Sequence, residues 1–378
     1  MEWKIPLFKS YWDQDDVDSV SKVIKRGTYW AAGPEIAEFE VKVADFVGCK
    51  YALSFNSGTS ALHSALMSLN IKEGDEVIVP SFTFIATGNA PLFVKAKPVF
   101  AEIDDISYGL DIEDVKNKIT KKTKAIMPIH YGGCACRDIH ALRELADDSD
   151  LLLIEDAAQS LGAKIRDEKV GTIGDVAMFS LCQDKMITTG EGGLIVTNSR
   201  DYYEKLKLIR SHGRAESGDY FSSSDLMDYI NLGYNFRMPT MVAALGISQI
   251  KKIDKTIEMR RKNANYYSKK LSGLNEISCP RPPKDFFHVY QKYTIKVDKN
   301  KRDDLMNFLA EHGIFTKAYF GLPIHLTKFY KEQFGYKEGD LKITEDLSKK
   351  VLTLPMFPAL QKTDIDYICD TIKSFNFE

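Results

Sequence analysis

Four short segments of this chain carry residue types suited to chemistry. In Phe179-Ser180-Leu181-Cys182-Gln183-Asp184-Lys185, a lysine stands between an apolar run and the glycine-rich Thr188-Thr189-Gly190-Glu191-Gly192-Gly193. A lysine amine can form a Schiff base with an aldehyde, although a lysine taken alone is more often a surface residue. Glu155-Asp156-Ala157-Ala158-Gln159 places a carboxylate at the end of the apolar run Leu151-Leu152-Leu153-Ile154. Opposite a pyridine nitrogen, that carboxylate would keep the nitrogen protonated, and the ring would then draw electrons from a substrate carbon. Its plainer reading is an acidic helix N-cap. Asn56-Ser57-Gly58-Thr59-Ser60-Ala61-Leu62 runs glycine and small hydroxyl residues straight into a helix pattern. A helix N-terminus offers unpaired N–H groups and a positive dipole end, which suits a phosphate, while Ser and Thr there are also ordinary caps. Pro80-Ser81-Phe82-Thr83-Phe84-Ile85-Ala86-Thr87 brings an aromatic that could stack on a flat ring or fill the core.

The elements that must position these segments alternate. Glu76–Pro80, Ala125–His130, Leu151–Ile154, Val176–Phe179 and Leu194–Val196 read as strands. Between them lie helical patterns such as Ser60–Leu69, whose Ala61, Leu62, Ala65, Leu66 and Leu69 share one face. This alternation predicts an α/β fold with a mostly parallel sheet, and ligands of such sheets bind at the carboxyl ends of the strands. From Pro239 to about Leu271 the chain reads as one long helix or two. Beyond it, a strand over Tyr290–Val297, a helix over Arg302–His312 ended by Gly313, and a closing helix over Asp364–Phe375 predict a smaller α+β domain. The expected division is a large domain over 1–250, including the N-terminal segment, and a small C-terminal domain over 251–378.

With 378 residues, 44% of them hydrophobic, the chain can build two sizeable cores. A formal net charge of -2 gives no reason to expect nucleic acid or a membrane surface as partner. The start, Met1-Glu2-Trp3-Lys4-Ile5-Pro6, lacks the pattern of a signal peptide. No apolar run reaches the roughly 18 residues of a membrane span, so a soluble, cytoplasmic protein is expected. The 6 cysteines are scattered, which favours reduced thiols. Cys134-Ala135-Cys136 lacks the further ligands a metal site would want and reads as two thiols at a turn before a helix, so no metal is expected.

None of the four segments is decisive alone, but their joint order resembles the DegT/DnrJ/EryC1/StrS family of pyridoxal-phosphate-dependent nucleotide-sugar aminotransferases. The resemblance runs from Gly27-Thr28-Tyr29-Trp30, Gly33-Pro34-Glu35 and Phe39-Glu40 through Ser57-Gly58-Thr59 and Asp75-Glu76-Val77-Ile78-Val79-Pro80. It continues with Glu155-Asp156-Ala157-Ala158-Gln159, Lys185 and Gly190-Glu191-Gly192-Gly193, then Tyr234-Asn235-Phe236-Arg237-Met238 and Leu354-Pro355-Met356-Phe357-Pro358. It implies the fold-type I aminotransferase architecture with pyridoxal 5'-phosphate as cofactor. Carried over by position, it makes Lys185 the Schiff-base lysine and proton shuttle, and Asp156 the partner of the pyridine nitrogen. Gln159 would reach the ring hydroxyl and Phe84 would cover the ring face. Gly58, Thr59, Ser60 and Ser180 would bind the phosphate, and Asn235 would reach the phosphate in a neighbouring subunit. A homodimer with shared active sites follows from that last role.

Two stretches depart from the family pattern. Many relatives carry an aromatic and then histidine or tyrosine where this chain has Leu181-Cys182-Gln183-Asp184, and Gly132-Gly133-Cys134-Ala135-Cys136 is also unusual. The resemblance implies a transamination in two halves, with L-glutamate giving the amine and a nucleotide-linked keto-sugar receiving it. Ile187–Gly193 looks like relatives that aminate C4 of 4-keto-6-deoxy sugars, perosamine synthases among them, whereas C3 enzymes more often have an aspartate in that turn. A C3 sugar aminotransferase is therefore the alternative. A sugar dehydratase of the same family would have histidine in place of Lys185, and a non-catalytic regulatory protein would want a basic recognition helix, which is missing here.

Overall fold

The computed structural model describes residues 3–215 and 226–377. A seven-stranded sheet runs in the spatial order Tyr51–Phe55, Gly193–Thr197, Val176–Ser180, Leu152–Asp156, Thr123–Ile126, Glu76–Pro80, Lys97–Ala101. The last five are mutually parallel, and only Gly193–Thr197 runs against its neighbours. Successive side chains of a strand point to opposite faces, and that alternation sorts two cores. Ile78, Ile126, Leu153, Ala177 and Phe179 face a layer containing Phe39, Val43 and Ile247. Val77, Val79, Ile154, Val176 and Met178 face Leu62 and Leu66. Both faces are covered, which is why these strands read as continuous apolar runs.

A second sheet of three antiparallel strands, Ile277–Ser278, Tyr293–Val297 and Val351–Leu354, carries its own core with Tyr267, Leu305, Leu309 and Ile368. Ile5 bridges to Ile314 and joins this smaller core, while Ile324, Tyr330 and Leu341 return to the core of the large sheet. The two bodies are thus laced together at both ends of the chain.

Several boundaries shift from their expected places for local reasons. The strand entering Pro128 stops at Ile126, because proline lacks the N–H a ladder needs. The pairing resumes as an isolated bridge between Ile129 and Asp156. The long helical stretch is two helices, Thr240–Lys251 and Ile253–Leu271, and Pro239 is the residue before the first of them. The strand expected from Tyr290 begins at Tyr293, since Tyr290 turns at φ 52°.

Candidate active site

A cleft of about 400 Å³ opens where the parallel strands end, the place such sheets offer to ligands. Asp156 closes the Leu152–Asp156 strand and is buried at the cleft floor. No helix follows it, so it is not the N-cap the sequence allowed: one carboxylate oxygen instead accepts the Ala158 N–H at 3.1 Å within a turn. The other oxygen accepts the Thr87 hydroxyl at 2.7 Å, and Thr87 is in turn 2.9 Å from the Thr83 hydroxyl. Burial pushes the Asp156 carboxyl above its ordinary range despite these bonds. Its neighbour Glu155 points the other way and is structural. It accepts the N–H groups of Gly171, Ile173 and Gly174 and contacts His130 Nε2 at 2.9 Å. His130 Nδ1 accepts the Cys136 N–H, which leaves the ring proton on Nε2, facing Glu155.

Lys185 lies in the loop after the Val176–Ser180 strand, with its side chain 16% exposed into the cleft. Its Nζ is 3.3 Å from Asp184 Oδ1. The other oxygen of Asp184 faces a second amine, Lys292 Nζ, at 3.5 Å. Burial opposes the charge of Asp184, but the Lys292 and Lys185 ammonium groups outweigh it and hold the carboxyl down at about 2. Lys292 comes from the strand-entry turn of the smaller body, and its backbone N–H is held by Gly132 O at 2.9 Å. Gly133 beside it has φ 102°, and a Cβ there would lie 2.8 Å from the backbone nitrogens of Tyr290 and Gln291. The unusual Gly132-Gly133 pair therefore lets the two bodies meet backbone to backbone. Cys136, two residues beyond Cys134, packs its thiol over Gly109, where a Cβ would be only 2.4 Å from the sulfur.

The cradle is built by the helix Gly58–Ser68. Ser57 caps it from an extended backbone, accepting the Ser60 N–H at 3.0 Å. Gly58 and Thr59 line the cleft, but Ser60 does not: its hydroxyl is turned back to Asn56 Oδ1 at 2.6 Å, so it braces the cradle from behind. Ser180 Oγ stands beside the helix start, within 3.4 Å of where a Cβ on Gly58 would be. Gly193, on the adjacent strand, is tighter still, with its virtual Cβ 2.3 Å from Ser57 O.

Gln159 is buried in the cleft wall and accepts the Gly132 N–H at 2.8 Å through Oε1. Phe84 also lines the cleft and is 60% exposed, while Phe82 is the aromatic of that segment that fills the core. Asn235 is exposed and does not line the cleft of its own chain. Thr87, Asp184, Lys292, Lys317 and Tyr319 line the cleft as well, and neither residue pattern nor family resemblance marks any of them for a role. Asp184 and Thr87 fell inside the segments singled out. Lys292 and Tyr319 lie more than a hundred residues from Lys185, with no local pattern to mark them.

A lysine amine, a buried carboxylate held by neutral donors, an exposed aromatic face and a capped helix start with a serine beside it suit pyridoxal phosphate, and at Gly58 the missing side chain leaves room where a Cβ would crowd Ser180 and Met178 at 3.3 to 3.4 Å. Such a cleft, on a sheet of this order with a smaller body at its side, defines a pyridoxal-phosphate-dependent aminotransferase. The chain belongs to the DegT/DnrJ/EryC1/StrS aminotransferase family, whose model matches residues 11–373. It is 37% identical over 374 residues to the GDP-perosamine synthase of Vibrio cholerae, covering 98% of this chain and 99% of that protein. It is 36% identical over 335 residues to the UDP-N-acetyl-3-dehydro-alpha-D-glucosamine 3-aminotransferase of Acidithiobacillus ferrooxidans, covering 88% and 86%. The crystal structure of S. venezuelae DesV in complex with a ketimine intermediate superposes with a TM-score of 0.89 at 32% identity, covering 99% of this chain and 98% of that one. The protein is a sugar aminotransferase. Among the described residues, no helix is long and apolar enough to cross a membrane.

Proposed function

We propose that this enzyme aminates C4 of a nucleotide-linked 4-keto-6-deoxy hexose, in the manner of a perosamine synthase, with L-glutamate as amino donor. The observation that carries the C4 assignment is the Thr188–Gly193 turn, whose Glu191 lines the cleft beside Lys185. The likeness to GDP-perosamine synthases over nearly the whole chain supports it.

Lys185 binds the cofactor through Nζ and, once freed by the donor, carries a proton to and from the reacting carbon. Its position at the cleft, within reach of the reacting carbon, suits that shuttle. Asp156 pairs with the ring nitrogen, and Thr87 and the Ala158 N–H orient its two oxygens. Gln159 has its Oε1 fixed by Gly132, which leaves Nε2 for the ring hydroxyl. Phe84 covers one ring face. Gly58, Thr59 and Ser180 take the phosphate, with Ser60 bracing the helix start. When bound, pyridoxal phosphate supplies an electron-withdrawing ring that carries the amino group between the two substrates. We assign this work to a large cofactor-binding domain over 1–250, with 251–378 as the small domain that brings Lys292 and Tyr319 to the cleft.

The reading includes a cytoplasmic homodimer with shared sites. Asn235 is exposed and does not line its own cleft, and it lies on the stretch that also exposes Tyr229, Ile230 and Leu232, where exposed apolar side chains of this size suit an interface. It would reach the partner's phosphate. Amination at C3 is the second reading, favoured by the likeness to the Acidithiobacillus enzyme. A panel of UDP-, GDP- and dTDP-linked 3- and 4-keto sugars, each assayed with glutamate, tests the assignment. Turnover confined to 3-keto sugars would reject C4, and turnover with another amino acid but not glutamate would reject the donor.

A further inference from the structure

The cleft holds an amine that the roles above leave unused. Lys292 is 6% exposed, yet its side chain lines the cleft. Its Nζ donates to Gln291 Oε1 at 2.8 Å, faces Asp184 Oδ2 at 3.5 Å and lies 4.5 Å from the centre of the Tyr319 ring. Gln291 is itself tied by its Nε2 to Asp184 O at 2.8 Å. A buried amine fixed on three sides is a built feature, since an isolated buried charge is costly. Its position relative to Lys185 is equally fixed, because the two amines stand on either side of a single carboxylate, 3.3 Å and 3.5 Å from its two oxygens.

That spacing selects between the two substrates, both of which are anions. In a nucleotide sugar the negative charge is a diphosphate on C1, with the sugar ring between it and a carbon reacting at Lys185. In an α-amino acid the carboxylate is bonded directly to the reacting carbon. Only the second puts its charge one carboxylate's breadth from the reacting amine. The charges agree: Lys185 and Lys292 surround one aspartate, and Lys317, 5.0 Å from the same Tyr319 ring, adds a further cation at the cleft. Over the whole cleft these three lysines stand against Asp156, Asp184 and Glu191, but on the side of Lys292 the amines share the single carboxylate of Asp184.

We infer that Lys292 is the group that recognises the α-carboxylate of the amino donor and so determines that the donor is an α-amino acid. This rests on the reading of the cleft as the aminotransfer site. Burial and then the Lys185 charge bring the Lys292 amine down to about 7, so an arriving carboxylate would restore its full charge and make the contact a charge-assisted one.

The test measures the two half-reactions separately on the cofactor-loaded enzyme, with glutamate for the first and a keto-sugar for the second. Lys292→Gln and Lys292→Met should raise KM for glutamate by about tenfold to a hundredfold, the size of one charged hydrogen bond. The keto-sugar KM should stay unchanged, and Lys292→Arg should recover part of the loss. The preference for glutamate over 4-aminobutyrate, which lacks the α-carboxylate, should shrink by the same factor. Calorimetric binding of glutarate, a readout independent of turnover, should weaken in parallel. An unchanged glutamate KM with a shifted pH titration of the cofactor's visible absorption would overturn the inference, showing that Lys292 acts on Lys185 through Asp184. So would a raised keto-sugar KM alone. If the parent enzyme transfers no amine from any amino acid, the aminotransfer reading itself fails, a result distinct from either.

Discussion

Replacing Asp156 by asparagine should make the cofactor-free protein more stable and the enzyme far slower, and the structure says why both must happen. Asparagine fits without rearrangement. Its oxygen can take the place that accepts the Ala158 N–H, and its NH₂ can then donate to Thr87 Oγ1, which turns its own proton to Thr83. What is lost is the charge. Burial raises the Asp156 pKa, so the folded state holds that proton more tightly than the unfolded chain does. Stability then falls as pH rises through the raised pKa, and at neutral pH the buried carboxylate is a cost to the cofactor-free fold. Asp156→Asn removes that cost, and with it the counter-charge for the ring nitrogen. Losing a preorganised electrostatic contact of this kind costs roughly 2.7–4 kcal/mol, about a hundredfold to a thousandfold in kcat. Thermal unfolding of the cofactor-free proteins at neutral pH and steady-state turnover of the loaded ones are the two measurements. Turnover within a few-fold of the parent would reduce Asp156 to a turn residue. A variant less stable than the parent without cofactor would refute the argument that asparagine fits.

Lys185→Ala should abolish multiple turnover and remove the visible absorption of covalently held cofactor; near-normal turnover would end its assignment. Gly193→Ala should push the virtual Cβ into Ser57 O, 2.3 Å away, and displace the helix start, so cofactor retention on dialysis should fall at least about tenfold while the fold survives. For Asp184, held down at about 2 by the two lysines against burial, the stabilisation is complete above the ordinary carboxylate range and lost as pH falls through about 2. It amounts to about 2 kcal/mol, and Asp184→Asn should flatten the acid limb of the unfolding midpoint. Lys185→Ala and Asn235→Ala should complement when mixed and allowed to exchange subunits, provided Asn235→Ala alone is impaired. No recovery despite proven exchange would reject a site shared between subunits.

Local chemistry is legible in the sequence because it is written in adjacent residues. The continuous apolar runs must be covered on both faces, so Leu151–Ile154 and Val176–Phe179 announce a parallel sheet. Ser57-Gly58-Thr59-Ser60 announces a capped helix start, and Lys185 and Asp156 stand where such strands end. What these residues touch is another matter. That Ser60 turns away from the cleft to Asn56 Oδ1, and that Phe84 is exposed where Phe82 is buried, depends on which way a turn leaves its strand. Asp156 reads as a cap by pattern but sits in a turn, because no helix follows it. Lys292 shows the limit most sharply. Nothing in the residues around it sets it apart, and it becomes part of the site only because Gly132 and Gly133 let the smaller body pack its backbone against the large one. The sequence by itself determined the sheet, the capped helix start and the placing of Lys185 and Asp156 at strand ends, since each follows from short-range pattern and residue chemistry. The meeting of two lysines across one aspartate was decided only by the tertiary structure, because it is a contact between distant segments that no local pattern encodes.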